Sequence, residues 1–329
     1  MNPVLSVRNL KVAFGDSVQA VRGISFDVYP GETLCIVGES GSGKSMTSLA
    51  IMGLLPPTAC VSASSICVTG KDLVGLNAGE LNRLRGHRMA MIFQEPMTSL
   101  NPSMRIGEQM MESLLHHERV SYEQARTRAI DLLAWTGISD ARVRMSMYPH
   151  QLSGGLRQRV MIAMSLMCSP PVLIADEPTT ALDVTTQLKI LDLLGNVQKE
   201  FGTAVLLITH DLGVVAKVAD RVAVMYGGRI VETGPARDVL QAPRHPYTQA
   251  LLECLPQSRD GQPLKVIPGS IPIFNSASHG CGFASRCTQA DALCDDDERL
   301  EEQFASGARC VRPIRYSPLK AGGGGDNYA

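Results

Sequence analysis

The chain has 329 residues, of which 44% are hydrophobic and 19% charged, and its net charge is −1. That size and balance allow one large α/β domain with an appendage, or two modest domains, and exclude a coreless chain. The near-zero charge excludes a basic field that would gather nucleic acid or an acidic membrane surface.

Met1 to Lys11 alternates like a strand and lacks the basic head and long apolar stretch of a signal peptide. No apolar run approaches the roughly 18 residues that span a bilayer. The spacing predicts strands over Leu5 to Phe14 and Ile24 to Val28 around a turn at Gly15–Asp16. A short apolar strand over Glu32 to Val37 leads into a Gly/Ser-rich loop and a helix over Ser45 to Leu55. Further strands are expected at Ser65–Thr69, Met89–Phe93, Val172–Ala175, Ala204–Ile208 and Arg221–Met225. These are mostly β-branched or aliphatic runs, as in a parallel sheet covered on both faces. Between Ser99 and Met167 the pattern turns helical, for example over Tyr122 to Trp135, so an all-helical insert interrupts an α/β core. Tyr226-Gly227-Gly228-Arg229 reads as a turn between two strands, and a helical pattern resumes from Pro235 to Gln241.

After about Ala242 the texture changes. Prolines recur at Pro243, Pro246, Pro256, Pro263, Pro268 and Pro272, and four of the nine cysteines lie between Cys281 and Cys310. Residues 242–329 are therefore expected to form a C-terminal extension ending in a flexible tail from Gly322, behind a core of residues 1–241 whose helical part spans about 97–167. An odd number of scattered cysteines argues against a secreted disulfide framework, so the chain is expected to be cytoplasmic.

Gly38-Glu39-Ser40-Gly41-Ser42-Gly43-Lys44-Ser45 fits G-x-x-x-x-G-K-[ST] and sits between a strand and a helix, as a phosphate loop must. Its glycines let several N–H groups point inward, and the helix N-terminus adds partial positive charge. Lys44 can reach the β and γ phosphates of a nucleoside triphosphate, which is all the motif alone specifies, and the Ser45 hydroxyl can ligate Mg²⁺. The apolar run Val172 to Ala175 ends in Asp176 and Glu177, which a strand points to opposite sides. Asp176 is then placed to hold Mg²⁺ and Glu177 to activate the attacking water. Leu152-Ser153-Gly154-Gly155 opens an amphipathic helix over Leu156 to Met167, a second helix N-terminus suited to phosphate.

The phosphate loop, Gln94, the Leu-Ser-Gly-Gly run, Asp176–Glu177, Ala181-Leu182-Asp183 and His210 occur in the order found in ABC ATPases, and the resemblance covers Val4 to about Gln241. It implies a P-loop core with a β-subdomain and a helical insert, working as a head-to-tail dimer. The phosphate loop of one chain then faces Ser153, Gly154 and Gly155 of another. It also implies that Phe14 stacks on adenine, though an aromatic at a strand end is as often core. In the same terms Gln94 contacts Mg²⁺ and the water, Asp183 couples the two sites, and His210 meets the γ-phosphate and holds Glu177.

Phe93 to Pro102 and Pro243-Arg244-His245-Pro246-Tyr247-Thr248 resemble the ATPases of dipeptide, oligopeptide and nickel importers. That resemblance implies a second, related ATPase, two membrane permeases, an extracytoplasmic solute-binding protein, and a peripheral place on the cytoplasmic face of the cell membrane. The solute, peptide or nickel, is left open. Cys281, Cys287, Cys294 and Cys310 suggest a four-thiolate site for a [4Fe–4S] cluster or zinc, with four metal-free thiols as the alternative. The resemblance favours the [4Fe–4S] cluster. Cys35, Cys60, Cys67, Cys168 and Cys254 are expected to be core or surface thiols, and Asp295 to Glu298 a solvated acidic turn.

Overall fold

A computed structural model describes residues 1–15, 17–95, 99–180, 182–255, 265–305 and 307–310. Asp16, Pro96 to Thr98, Ala181 and the tail from Gly322 lie outside the described residues, and with them parts of three expected motifs.

Strands β1 (Leu5–Phe14) and β2 (Val18–Val28) pair antiparallel, and β1 also pairs with β4 (Ala59–Ser62) and β5 (Ser65–Val68). The two-residue β6 (Lys71–Asp72) closes that edge. The short β4 and β6 carry little apolar periodicity and were not foreseen. A second sheet runs in the order β11-β10-β3-β9-β8-β7. Here β3 is Thr33–Val37, β7 Met89–Ile92, β8 Val172–Asp176, β9 Ala204–Thr209, β10 Arg221–Tyr226 and β11 Arg229–Pro235. All neighbours are parallel except β10 and β11.

Every residue of β3, β8 and β9 is buried, because both faces of this sheet are covered. Alternation sorts them. Val205 and Leu207 join a core with the helices, while Ala204, Leu206 and Ile208 join a core shared with the antiparallel sheet. The pleat thus couples the two halves of the chain through one strand.

Helix α1 (Lys44–Met52) follows β3 and ends at Gly53, and α2 (Ala78–Leu84) opens with an Asn77–Glu80 capping box. The helical insert holds α3 (Ile106–His117), α4 (Tyr122–Trp135), α5 (Ala141–Arg144) and α6 (Gly154–Ser165). Helix α6 starts two residues before the expected Leu156, so Gly154 and Gly155 lie inside its first turn. Helix α7 (Val184–Phe201) was missed in the sequence, and α8 (Leu212–Val218) follows His210. Among the described residues no helix is long and apolar enough to cross a membrane.

Beyond α9 (Ala236–Gln241), the C-terminal segment adds α10 (Pro246–Glu253) and α11 (Asp297–Phe304). It is seated on the sheet. Thr233 N–H donates to Gly307 O, Arg309 N–H to Val231 O, and Gln19 N–H to Phe274 O. The acidic turn is only partly solvated, contrary to expectation. Asp296 caps α11, and Asp297 pairs with Arg229 at 2.8 Å, fastening the segment to β11.

Candidate active site

Parallel strands end at one edge of their sheet, where loops can converge on a ligand. β3 leads into the phosphate loop, β8 delivers Asp176 and Glu177, β9 delivers His210, and β7 delivers Gln94. Because β9 pairs with both β3 and β8, these four segments emerge side by side.

The loop is tight at two glycines. A Cβ on Gly38 would meet Met225 O at 2.1 Å, and Gly43 has φ +105° with Ala20 O 2.4 Å from where its Cβ would stand. No side chain fits at either position. Lys44 is buried, and its Nζ donates to Gly38 O at 2.7 Å and Glu39 O at 3.0 Å. Burial lowers its pKa, with Glu177, Asp176 and Glu39 opposing. Ser42 is fully buried, whereas Ser40 and Gly41 are exposed at the mouth of the loop.

Ser45 Oγ donates to Asp176 Oδ1 at 3.0 Å, and Ser48 Oγ donates to Asp176 Oδ2 at 3.1 Å. Ser48 lies three residues beyond Ser45 on the same face of α1, which sequence reasoning overlooked. Burial raises the Asp176 pKa, and the two serine hydroxyls counteract it. The pairing of Ser45 and Asp176 gathers hard oxygen donors of the kind that suit Mg²⁺.

Glu177 holds φ +45°, left-handed for a non-glycine residue, at a cost of order 1 kcal/mol. Its N–H donates to Ile208 O at 2.9 Å, which fixes the turn. The carboxylate is then met by three side chains. Gln94 Nε2 lies 3.3 Å and Thr180 Oγ1 2.9 Å from Oε2, and His210 Nδ1 lies 3.2 Å from Oε1. The structure therefore brings together Gln94, Glu177 and His210, and adds Thr180, whose hydroxyl no motif had marked. The Glu177 side chain is 11% exposed while His210 is 57% exposed, so the histidine forms the open wall.

Three expected residues stand apart from this centre. Ser153 caps α6 without a side-chain bond, Gly154 has open space at its Cβ position, and Gly155 approaches Thr186. Among the described residues no hydrogen bond joins Ser153, Gly154 or Gly155 to the phosphate loop. Asp183 caps α7, accepting from Thr186 N at 3.0 Å and from Thr186 Oγ1 at 2.7 Å, and those bonds lower its pKa. Phe14, at the end of β1, is half-buried against the core shared by the two sheets.

An ABC transporter family matches residues 21–180, and an oligopeptide/dipeptide transporter C-terminal region matches residues 231–294. The chain is 52% identical over 300 residues to the dipeptide transport ATP-binding protein DppD of Bacillus subtilis, covering 90% of each. It is 48% identical over 317 residues to the oligopeptide transport ATP-binding protein OppD of Escherichia coli, covering 94% of each. The chain belongs to the ABC transporter ATPases. The ATPase fold also aligns with the dimeric post-hydrolysis state of the ATP-binding cassette MJ0796 bound to ADP and Pi. There the TM-score is 0.63 at 29% identity, covering 71% of this chain and 99% of that one. Against cbiO1 of Clostridium perfringens the TM-score is 0.63 at 30% identity, covering 74% and 92%. As an ABC ATPase the chain binds and hydrolyses ATP, and the converging edge brings together the phosphate loop, Asp176, Gln94, Glu177 and His210.

In the C-terminal segment, Cys281, Cys287, Cys294 and Cys310 line one cavity of about 20 Å³ together with His245 and Phe283. Cys281 Sγ lies 4.0 Å from His245 Nε2. Burial pushes the Cys281 thiol up to about 11, and the other three cysteines add to the rise. Among the described residues no group of three or more His, Cys, Asp or Glu side chains is arranged to hold a metal ion. Of the remaining cysteines, Cys35 and Cys168 are buried, Cys60 is exposed, and Cys67 and Cys254 are intermediate.

Proposed function

We propose that the chain is the ATP-hydrolysing subunit of an importer for di- or oligopeptides, coupled through a head-to-tail ATPase dimer to membrane permeases. The observation that carries the hydrolytic part is the Glu177 carboxylate, held in a left-handed turn among Gln94, Thr180 and His210. In this reading Glu177 takes the proton of the attacking water, and Gln94 and His210 orient it. Ser45, Asp176 and Gln94 are the residues that would hold Mg²⁺, which would supply positive charge to neutralise the phosphates.

Lys44 and the N–H groups of Gly38 to Ser45 cradle the phosphates, and Phe14 stacks on adenine. Ser153, Gly154 and Gly155 are exposed or half-exposed and lack a bond to their own phosphate loop, which supports their serving a partner chain's nucleotide. Asp183 relays between the two sites. The ATPase unit is taken as residues 1–241 with a helical subdomain at about 97–167, and residues 242–329 as the extension.

The peptide assignment rests on the names of the relatives and on the C-terminal region that accompanies them. The partners are two permeases, a related but different second ATPase and an extracytoplasmic solute-binding protein, with the chain peripheral on the cytoplasmic face. Proteoliposomes carrying the assembled complex and its binding protein, with ATP inside, test this. Accumulation of a labelled dipeptide is expected. Accumulation of Ni²⁺ with no peptide uptake would move the chain to the nickel importers.

The four cysteines of the extension are proposed as ligands of a [4Fe–4S] cluster that folds this segment. The donor chemistry fits, since four thiols face one cavity. The space as packed, about 20 Å³, holds about a water, so a cluster would require this segment to open. A cluster's thiolates bind different irons, so they need not converge on a single ion as a zinc site does. Anaerobically purified protein is expected to carry about four irons per chain. Folded protein without iron or visible absorbance would refute the cluster.

A further inference from the structure

The variable positions of a phosphate loop tolerate many side chains, and this chain places a carboxylate, Glu39, second in the loop. An unpaired carboxylate there adds negative charge beside a polyphosphate, which opposes nucleotide binding. The C-terminal segment meets that charge. Arg286 Nη1 donates to Glu39 Oε2 at 2.8 Å, and its Nη2 donates to Oε1 at 3.2 Å, a forked pair of charge-assisted bonds.

The arginine is fixed from its own side. Its Nε donates to Pro268 O at 2.8 Å, its Nη2 to Ile267 O at 3.2 Å, and its Nη1 to Tyr226 Oη at 3.3 Å. Only 6% of the side chain is exposed. The backbone of Glu39 is held from the same quarter, its N–H donating to Tyr247 Oη at 2.9 Å. Tyr247 is fully buried, with its ring 4.6 Å from Tyr226 and 5.2 Å from Phe283. The second residue of the loop is thus gripped at carboxylate and amide by residues that lie far along the chain.

We infer that Arg286 is a positioning residue for ATP, acting through Glu39: it neutralises that carboxylate and draws it out of the path of the phosphates. The inference goes beyond the ATPase reading, because every motif of the site is complete without residue 286. It makes the extension part of the nucleotide site.

The test is steady-state ATP hydrolysis by the assembled complex carrying Arg286→Gln, Arg286→Lys, or Glu39→Gln together with Arg286→Gln. Wild-type turnover measured alongside separates a failure of the ATPase reading from a failure of this inference. Arg286→Gln is expected to raise the KM for ATP about tenfold, the scale of one charge-assisted bond, while kcat changes less than about twofold. Arg286→Lys keeps the charge but loses the fork, and is expected to raise KM about threefold, between wild type and Arg286→Gln. Adding Glu39→Gln to Arg286→Gln removes the uncompensated carboxylate and should return KM towards wild type, while the thermal midpoint, lowered in both variants by loss of the arginine's bonds to Pro268 and Ile267, does not recover. An unchanged KM in Arg286→Gln, or a double variant as impaired as the single one, would overturn the inference. A staple without electrostatic purpose predicts that second result.

Discussion

Glu177 and Asp183 are both held by bonds that belong to the fold, so a chemical role for either has to be separated from a structural one. Glu177 occupies a backbone region that costs energy, and the cost is met by its N–H bond to Ile208 and by three side chains that would otherwise lack this partner. Asp183 is an ordinary helix cap by geometry, accepting from both the amide and the hydroxyl of Thr186. The relay role and the capping role separate by substitution. Asp183→Ala is expected to destabilise the protein by about 1 kcal/mol through loss of the cap. Asp183→Asn keeps an acceptor for the amide and should hold the denaturation midpoint near wild type. If the charge relays between sites, Asp183→Asn nonetheless lowers ATP turnover of the assembled dimer. Chemical denaturation and turnover, measured on both variants, decide whether the residue does more than cap.

At the level of elements, what the sequence made legible was local. The phosphate loop, the Asp176–Glu177 strand end and the strands β3, β8 and β9 announce themselves by spacing within eight or fewer residues. Gln94 and His210 followed from their order along the chain, and the parallel sheet explains why order sufficed, since strands that end together bring their loops together. Tyr247 was legible only as part of the importer motif and not as a partner of Glu39, while Thr180, Ser48 and Arg286 escaped notice for a physical reason. Thr180 and Ser48 act on carboxylates through hydroxyls that look like any loop or helix residue. Arg286 meets Glu39 across 247 positions of sequence, a pairing that only tertiary packing creates. Helix α7 was passed over although its buried Ile190, Leu191, Leu194 and Val197 follow helical spacing. Its exposed Val184 and Leu188 blur that stripe at the N-terminal end.

Taken whole, the molecule carries two functional edges on one sheet. The carboxyl ends of the parallel strands bring Gln94, Glu177 and His210 together, and the antiparallel pair β10 and β11 receives the C-terminal segment. That segment returns to the phosphate loop through Arg286 and Tyr247, so the distant end of the chain contributes to the site that the first forty-five residues begin. The cavity lined by four cysteines lies on the same segment, next to His245 and Phe283, and Phe283 packs on Tyr247. Changes at that cavity therefore have a short physical route to the nucleotide site. The turn at Ser153 to Gly155 is exposed or half-exposed and, among the described residues, makes no hydrogen bond to this chain's own phosphate loop.

The most direct test of the central claim is Mg²⁺-dependent ATP hydrolysis by the purified complex, wild type against Glu177→Gln, with ATP binding measured on both. Retained binding, a trapped dimer and turnover reduced at least about a hundredfold are the predicted result, the size of a lost general base. Wild-type turnover in Glu177→Gln would contradict the account, because no other carboxylate is positioned among Gln94, Thr180 and His210 in the described residues.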